Sequence, residues 1–205
     1  MELPVPVLSY EQLRNRAESF LRQYNPDGSI PVPVEGIIEC DFSINIIPIP
    51  SLQRVHEVDA CISSNLKSLI VDMAVLESRS PNRYRFSLAH ELAHAVLHSA
   101  VYEQLRFSSV EEWKSVMGQI REQDRGWLEW QAYSFAGLIL VPGSALQIKL
   151  HEALSLAGSG GISVQDASDS AKEYISTWVG RQFEVSSQVI GKRLDYDKLW
   201  PPHEF

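Results

Sequence analysis

At 205 residues, 44% hydrophobic and 21% charged, the chain has the size and composition of a single folded domain that needs no disulfide staples. A formal net charge of −8 excludes a broad nucleic-acid surface, which needs clustered Lys and Arg, though not a small basic patch. Cys40 and Cys61 are too few and too scattered for a disulfide framework or a CxxC metal site, and read as two buried, reduced thiols.

No apolar run approaches the roughly 20 residues that span a bilayer. The amino terminus lacks the basic flank and apolar stretch of a secretory signal. The expected location is the cytoplasm, with no membrane partner.

Ser9 and Gln12 fit a capping box, and Leu13, Ala17, Phe20, Leu21 and Tyr24 follow at helical spacing up to Asn25-Pro26-Asp27-Gly28. Four prolines punctuate residues 30–50, where a short helix near Glu35–Cys40 and a strand Ser43–Ile47, ended by Pro48, are expected. Val58–Ile62 and Ser68–Met73 flank the turn residues of 63–67 and predict an antiparallel hairpin. Ser80-Pro81 offers a cap and a first helical proline for a helix running to about Ala100. Ser109 opens a second capping box, with helix expected to Leu140, a break near Gly126 and a stop at Pro142-Gly143. A box at Ser144–Gln147 starts a shorter helix to about Leu156, and the Gly158–Gly161 stretch reads as a flexible loop. Ala167 to Phe183 patterns as a long amphipathic helix and Ser186–Leu194 as a last short one. This order makes an α+β protein: a small antiparallel or mixed sheet in the first third, packed on a metal-binding helix, then a helical C-terminal part. It reads as one domain over 1–205, divided at about residues 80 and 156.

His90-Glu91-Leu92-Ala93-His94 is an HExxH pattern inside a helical stretch. Residues four apart share a helix face, so the two imidazoles can take two corners of one tetrahedral zinc site. Glu91, at the flank of that face, is placed to act as general base on a zinc-bound water. His98 continues the series, but eight residues rise about 12 Å, too far to share one ion with His90. It is left with a supporting, substrate-facing or packing role. A third ligand must come from elsewhere: Glu129 is favoured on a later helix, with Glu122, Asp124 and Glu152 as competitors.

Residues 85–98, Arg-Phe-Ser-Leu-Ala-His-Glu-Leu-Ala-His-Ala-Val-Leu-His, resemble the zinc helix of the ImmA/IrrE family of metallopeptidases. Glu129-x-x-Ala132-x-x-Phe135-Ala136, running on to Val141-Pro142, is similar to that family's second stretch. Phe183-Glu184-Val185-Ser186-Ser187 with Arg193-Leu194 resembles its closing segment. The resemblance spans most of residues 8–195. It implies a zincin-like metallopeptidase with Glu129 as third ligand, zinc (or manganese in its place) as cofactor, and a helix-turn-helix repressor as protein substrate. The family often has Gly at Ala93 and Asp or Asn at Tyr133. The Tyr133 hydroxyl is therefore expected to support a ligand or the tetrahedral intermediate, unless it is a core tyrosine. Tyr133, His98 and Tyr84 are the candidate oxyanion donors, and an exposed edge at Ser68–Met73 is a possible place for a substrate strand.

Two other readings compete. One is a partner-binding regulator that keeps the zinc helix and cuts nothing. The other is DNA binding by the last helices, where Val185–Leu194 has a helix-turn-helix pattern. Residues 172–205 carry five basic side chains (Lys172, Arg181, Lys192, Arg193, Lys198) against five acidic ones (Glu173, Glu184, Asp195, Asp197, Glu204). That balance gives little pull towards phosphate, so direct nucleic-acid binding is not expected.

Overall fold

Ser9 caps helix α1 (Tyr10–Tyr24) as the sequence predicts: its hydroxyl accepts from the Gln12 amide at 3.2 Å while the Gln12 side chain accepts from the Ser9 amide at 2.8 Å. This is a computed structural model that describes residue 3 and residues 5–78, 81–159 and 168–202. After α1 the chain forms a short α2 (Val34–Gly36) that widens into a π-helical turn, Ile37–Asp41. Strand β1 (Asn45–Ile49) follows, and Pro48 lies inside it instead of ending it. Among the described strands β1 is an edge, where a proline's missing N–H is tolerated.

Two short helices escaped the sequence reading, α3 (Leu52–His56) and α4 (Met73–Leu76). Ser51 gives α3 no side-chain cap; the Asp72 carboxylate does so from a distance, accepting from the Gln53 amide at 2.7 Å. The same carboxylate caps α4 through the Ala74 amide at 2.7 Å. Between them β2 (Ala60–Ile62) and β3 (Ser68–Asp72) make the expected antiparallel hairpin. Its turn is closed by Ser63 and Asn65 side chains that accept from the Lys67 and Ser68 amides. The sheet order is β1-β3-β2, with β1 parallel to β3. β3 is thus paired on both sides, so Ser68–Met73 is not an open edge for a substrate strand.

Helix α5 (Pro81–Leu97) carries the HExxH residues, and the proposed Ser80 cap lies outside the described residues. α5 stops at Leu97, and His98 occupies the break before α6 (Ser99–Tyr102). α7 (Val110–Gln119) starts at Ser109, whose hydroxyl accepts from the Glu112 amide. The break before α8 (Glu122–Leu140) falls at Ile120-Arg121, where the backbone is extended, and α8 runs straight through Gly126. Gly126 alone costs a helix only about 1 kcal/mol, too little to end one. α9 (Gly143–Ser159) begins before Ser144, so that residue sits in the first turn and is not the cap. α9 also takes in Gly158; residues 160–161 of the expected loop, and Ala167, lie outside the described residues. α10 (Asp169–Phe183) and α11 (Ser187–Tyr196) close the chain.

α5 has buried residues on nearly every side, among them Leu88, Ala89, Leu92, Ala93 and His94, the pattern of a helix enclosed by others. It packs on α8, which contributes fully buried Leu128, Ala132, Phe135 and Ala136; α1 covers α8 through Phe20, whose ring meets Phe135 edge-on at 5.7 Å. Arg193 of α11 reaches the end of α8, donating to the Gly137 and Val141 carbonyls, and pairs with Asp197 at 2.8 Å. Asp197 also accepts from Arg14 at 2.8 Å and from the Tyr10 hydroxyl at 3.0 Å, which ties α1, α8 and α11 together. Cys61 is buried as expected, but Cys40 is exposed. Among the described residues no single helix is long and apolar enough to cross a membrane.

Candidate metal centre

The α5–α8 contact brings His90, His94 and Glu129 together, with one ligand atom from each lying within 4.8 Å of the others. His90 Nε2 stands 3.2 Å from His94 Nε2 and 3.1 Å from a Glu129 oxygen, and His94 Nε2 is 3.9 Å from the other. Two donors bound at 2.0–2.1 Å to a tetrahedral ion sit roughly 3.3 Å apart. The donor set therefore fits zinc with little movement, and the three residues form a candidate metal-binding triad. The competitors stand outside this group: Asp124 binds Arg121 and the Leu3 amide, Glu152 pairs with Lys149, and Glu122 is exposed at the start of α8.

Glu91 is buried beside the triad, and one of its oxygens accepts from the backbone N–H of Ile62 in β2 at 2.8 Å. Burial, opposed by the charge of His90, raises its carboxyl to about 7. His94 is held well below the ordinary histidine value by burial and by its two histidine neighbours, which favours the neutral imidazole that binds metals.

The remaining candidates separate. His98 is buried, with its Nδ1 3.1 Å from His94 Nδ1 and its Nε2 3.4 Å from the Gln131 side-chain oxygen. Burial pushes it down to about 4, so it is neutral at pH 7. Tyr133 is about half exposed and is not a core residue; its ring meets the His90 ring edge-on at 4.7 Å. Among the described residues the far nitrogen of His90, Nδ1, is buried without a hydrogen-bond partner. The Tyr84 hydroxyl is spent on Glu35, donating at 2.9 Å. A cavity of about 470 Å³ opens next to the centre between α5, α8 and α11, with Phe86, Trp130, Tyr133 and Lys192 in its walls.

Two neighbours of the centre were not anticipated. Tyr102 is fully buried with its ring 5.5 Å from His94, and nothing in its sequence neighbourhood marks it. Gln131 is wholly buried, and a signal existed: it stands on the stripe of α8 shared by Leu128, Ala132 and Phe135, where a lone amide is out of character.

Residues 69–195 match the family model described as the IrrE N-terminal-like domain, a peptidase family. Among solved structures, a Mycobacterium tuberculosis transcriptional regulator is similar, with a TM-score of 0.55 and 16% identity over 94% of this chain and 48% of that one. That likeness is one of fold, and the chain spans about half the length of that protein. No curated protein matches the sequence.

Proposed function

The chain belongs to the IrrE N-terminal-like domain family of peptidases, and from that premise we propose that it is a zinc-dependent endopeptidase whose substrate is a helix-turn-helix repressor. His90, His94 and Glu129 hold the metal, and Glu91 is the general base. The observation that carries this reading is the Glu91 carboxylate, buried next to a nitrogen–oxygen donor triad.

A bound zinc would supply Lewis-acid activation of the scissile carbonyl and of a water, and manganese can serve with the same donors. The rest falls to the protein. Ile62 fixes one Glu91 oxygen and leaves the other to accept the proton of the attacking water. Glu91, buried and held above the ordinary carboxylate range, is placed to take that proton and return it to the leaving amine. Tyr133, which lines the cavity with its ring against His90, is the donor we assign to the developing oxyanion. The repressor as substrate follows from the family resemblance, and its recognition belongs to surfaces beyond the triad.

The test is incubation of the purified protein with a candidate repressor, with and without Zn²⁺ or Mn²⁺. Metal-dependent fragments are expected, together with their loss in Glu91→Gln by at least about 100-fold while its metal content is unchanged. Full cleavage by Glu91→Gln removes Glu91 from the mechanism. A stable complex that yields no fragments with either metal would point instead to a non-cutting, partner-binding regulator.

A further inference from the structure

We propose that Gln131 and His98 form a one-way hydrogen-bond relay that sets His94 in the tautomer whose Nε2 is free to bind the metal. This rests on the reading of His90, His94 and Glu129 as metal ligands, and it makes Gln131 and His98 positioning residues.

The direction starts at a group with no choice. A backbone carbonyl only accepts, and the Pro6 carbonyl lies 2.6 Å from the Gln131 side-chain nitrogen. The amide NH₂ must face Pro6, so the Gln131 oxygen faces His98 Nε2 at 3.4 Å. An amide oxygen also only accepts, which places the His98 proton on Nε2 and leaves Nδ1 with a lone pair. That lone pair is 3.1 Å from His94 Nδ1, so Nδ1 carries the His94 proton. His94 Nε2 is then left unprotonated where it meets His90 and Glu129.

The relay is shielded: Gln131, His98 and His94 are 0%, 1% and 2% exposed, so bulk water does not compete for its bonds. His90 has no such support among the described residues, where its Nδ1 is buried with no hydrogen-bond partner. The two imidazoles are therefore unequal, one pre-set for the metal and one not. The outer end of the relay, Pro6, lies outside the 69–195 span of the family match.

The experiment is long-range ¹H–¹⁵N correlation on histidine-labelled, metal-free protein, paired with zinc affinity by chelator competition. In the natural protein His94 is expected as the Nδ1–H form and His98 as the Nε2–H form. Gln131→Leu should mix the His94 tautomers and weaken zinc binding about 10-fold, and His98→Leu should weaken it by about 10- to 100-fold. His98→Gln, whose amide oxygen can accept from His94 Nδ1, should recover most of that loss. His94 protonated on Nε2 in the natural protein overturns the relay, as does a folded Gln131→Leu with unchanged tautomers and zinc affinity. If Gln131→Leu does not fold, the natural protein's tautomers and the His98 pair decide. Absence of zinc binding in the natural protein would overturn the ligand assignment, while the metal-free tautomers would still judge the relay.

Discussion

Asp72 is 1% exposed and accepts from the starts of two helices at once, with the Gln53 amide of α3 and the Ala74 amide of α4 both at 2.7 Å. These backbone donors, Gln53 first, hold its carboxyl below its ordinary 3.8 despite burial. A depressed folded value means the stabilisation is present above the unfolded pKa and is lost as pH falls through the folded one. Asp72→Asn should lose about 1–3 kcal/mol at pH 7. Urea unfolding should show that gap narrowing as pH drops below about 4. The residues of the candidate metal centre had very different visibility. His90, Glu91 and His94 were legible because a four-residue spacing on a helix is itself a geometry. Glu129 needed the family resemblance, since nothing local joins it to α5. The Ile62 N–H that holds Glu91 is a backbone group, invisible to any reading of side chains.

At the scale of elements, the α10–α11 corner depends on one missing methyl. A Cβ on Gly180 would stand 2.7 Å from the Val185 carbonyl oxygen, and backbone cannot swing aside as a side chain can. Gly180→Ala should cost about 1–3 kcal/mol. Gly126→Ala offers the contrast: it is exposed in the body of α8 with nothing within 4 Å of the added carbon, and it should gain up to about 1 kcal/mol. Thermal melts of the two variants should move in opposite directions. Helices with their cap next to them, α1 and the start of α7, were legible from sequence, and the body of α5 was legible from its HExxH spacing. α3 and α4 were not, because Asp72 caps α3 from about twenty residues downstream and both helices are too short to show a period. The break at Ile120-Arg121 was missed for a related reason: neither residue is a turn former, and the chain bends there as α7 ends and α8 joins the core.

For the molecule as a whole, the candidate metal donors are split two and one across α5 and α8, so a bound ion would cross-link the two helices at the centre of the fold. Binding to the folded state alone adds about 2.7 kcal/mol at a free metal concentration 100 times Kd. For a chain of this length that corresponds to a rise in Tm of roughly 5–10 °C. Zinc titration followed by thermal denaturation should show this rise, and Glu129→Ala should largely abolish it. The α+β layout was legible as a sequence of elements. The sheet order was not, since a hairpin read from its turn says nothing about a third strand arriving in parallel on the far side of β3. The Arg193–Asp197 junction sets a limit on how far the chain can be trimmed. Asp197 stands just past residue 195, and its partners Tyr10 and Arg14 lie far upstream of residue 69, so the matched span holds the candidate triad without the carboxylate that ties Arg193 to α1. A 69–195 fragment would keep the Arg193 bonds to the end of α8 but leave that guanidinium without the carboxylate that holds it, and a piece that keeps the whole junction runs from before α1 to at least Asp197.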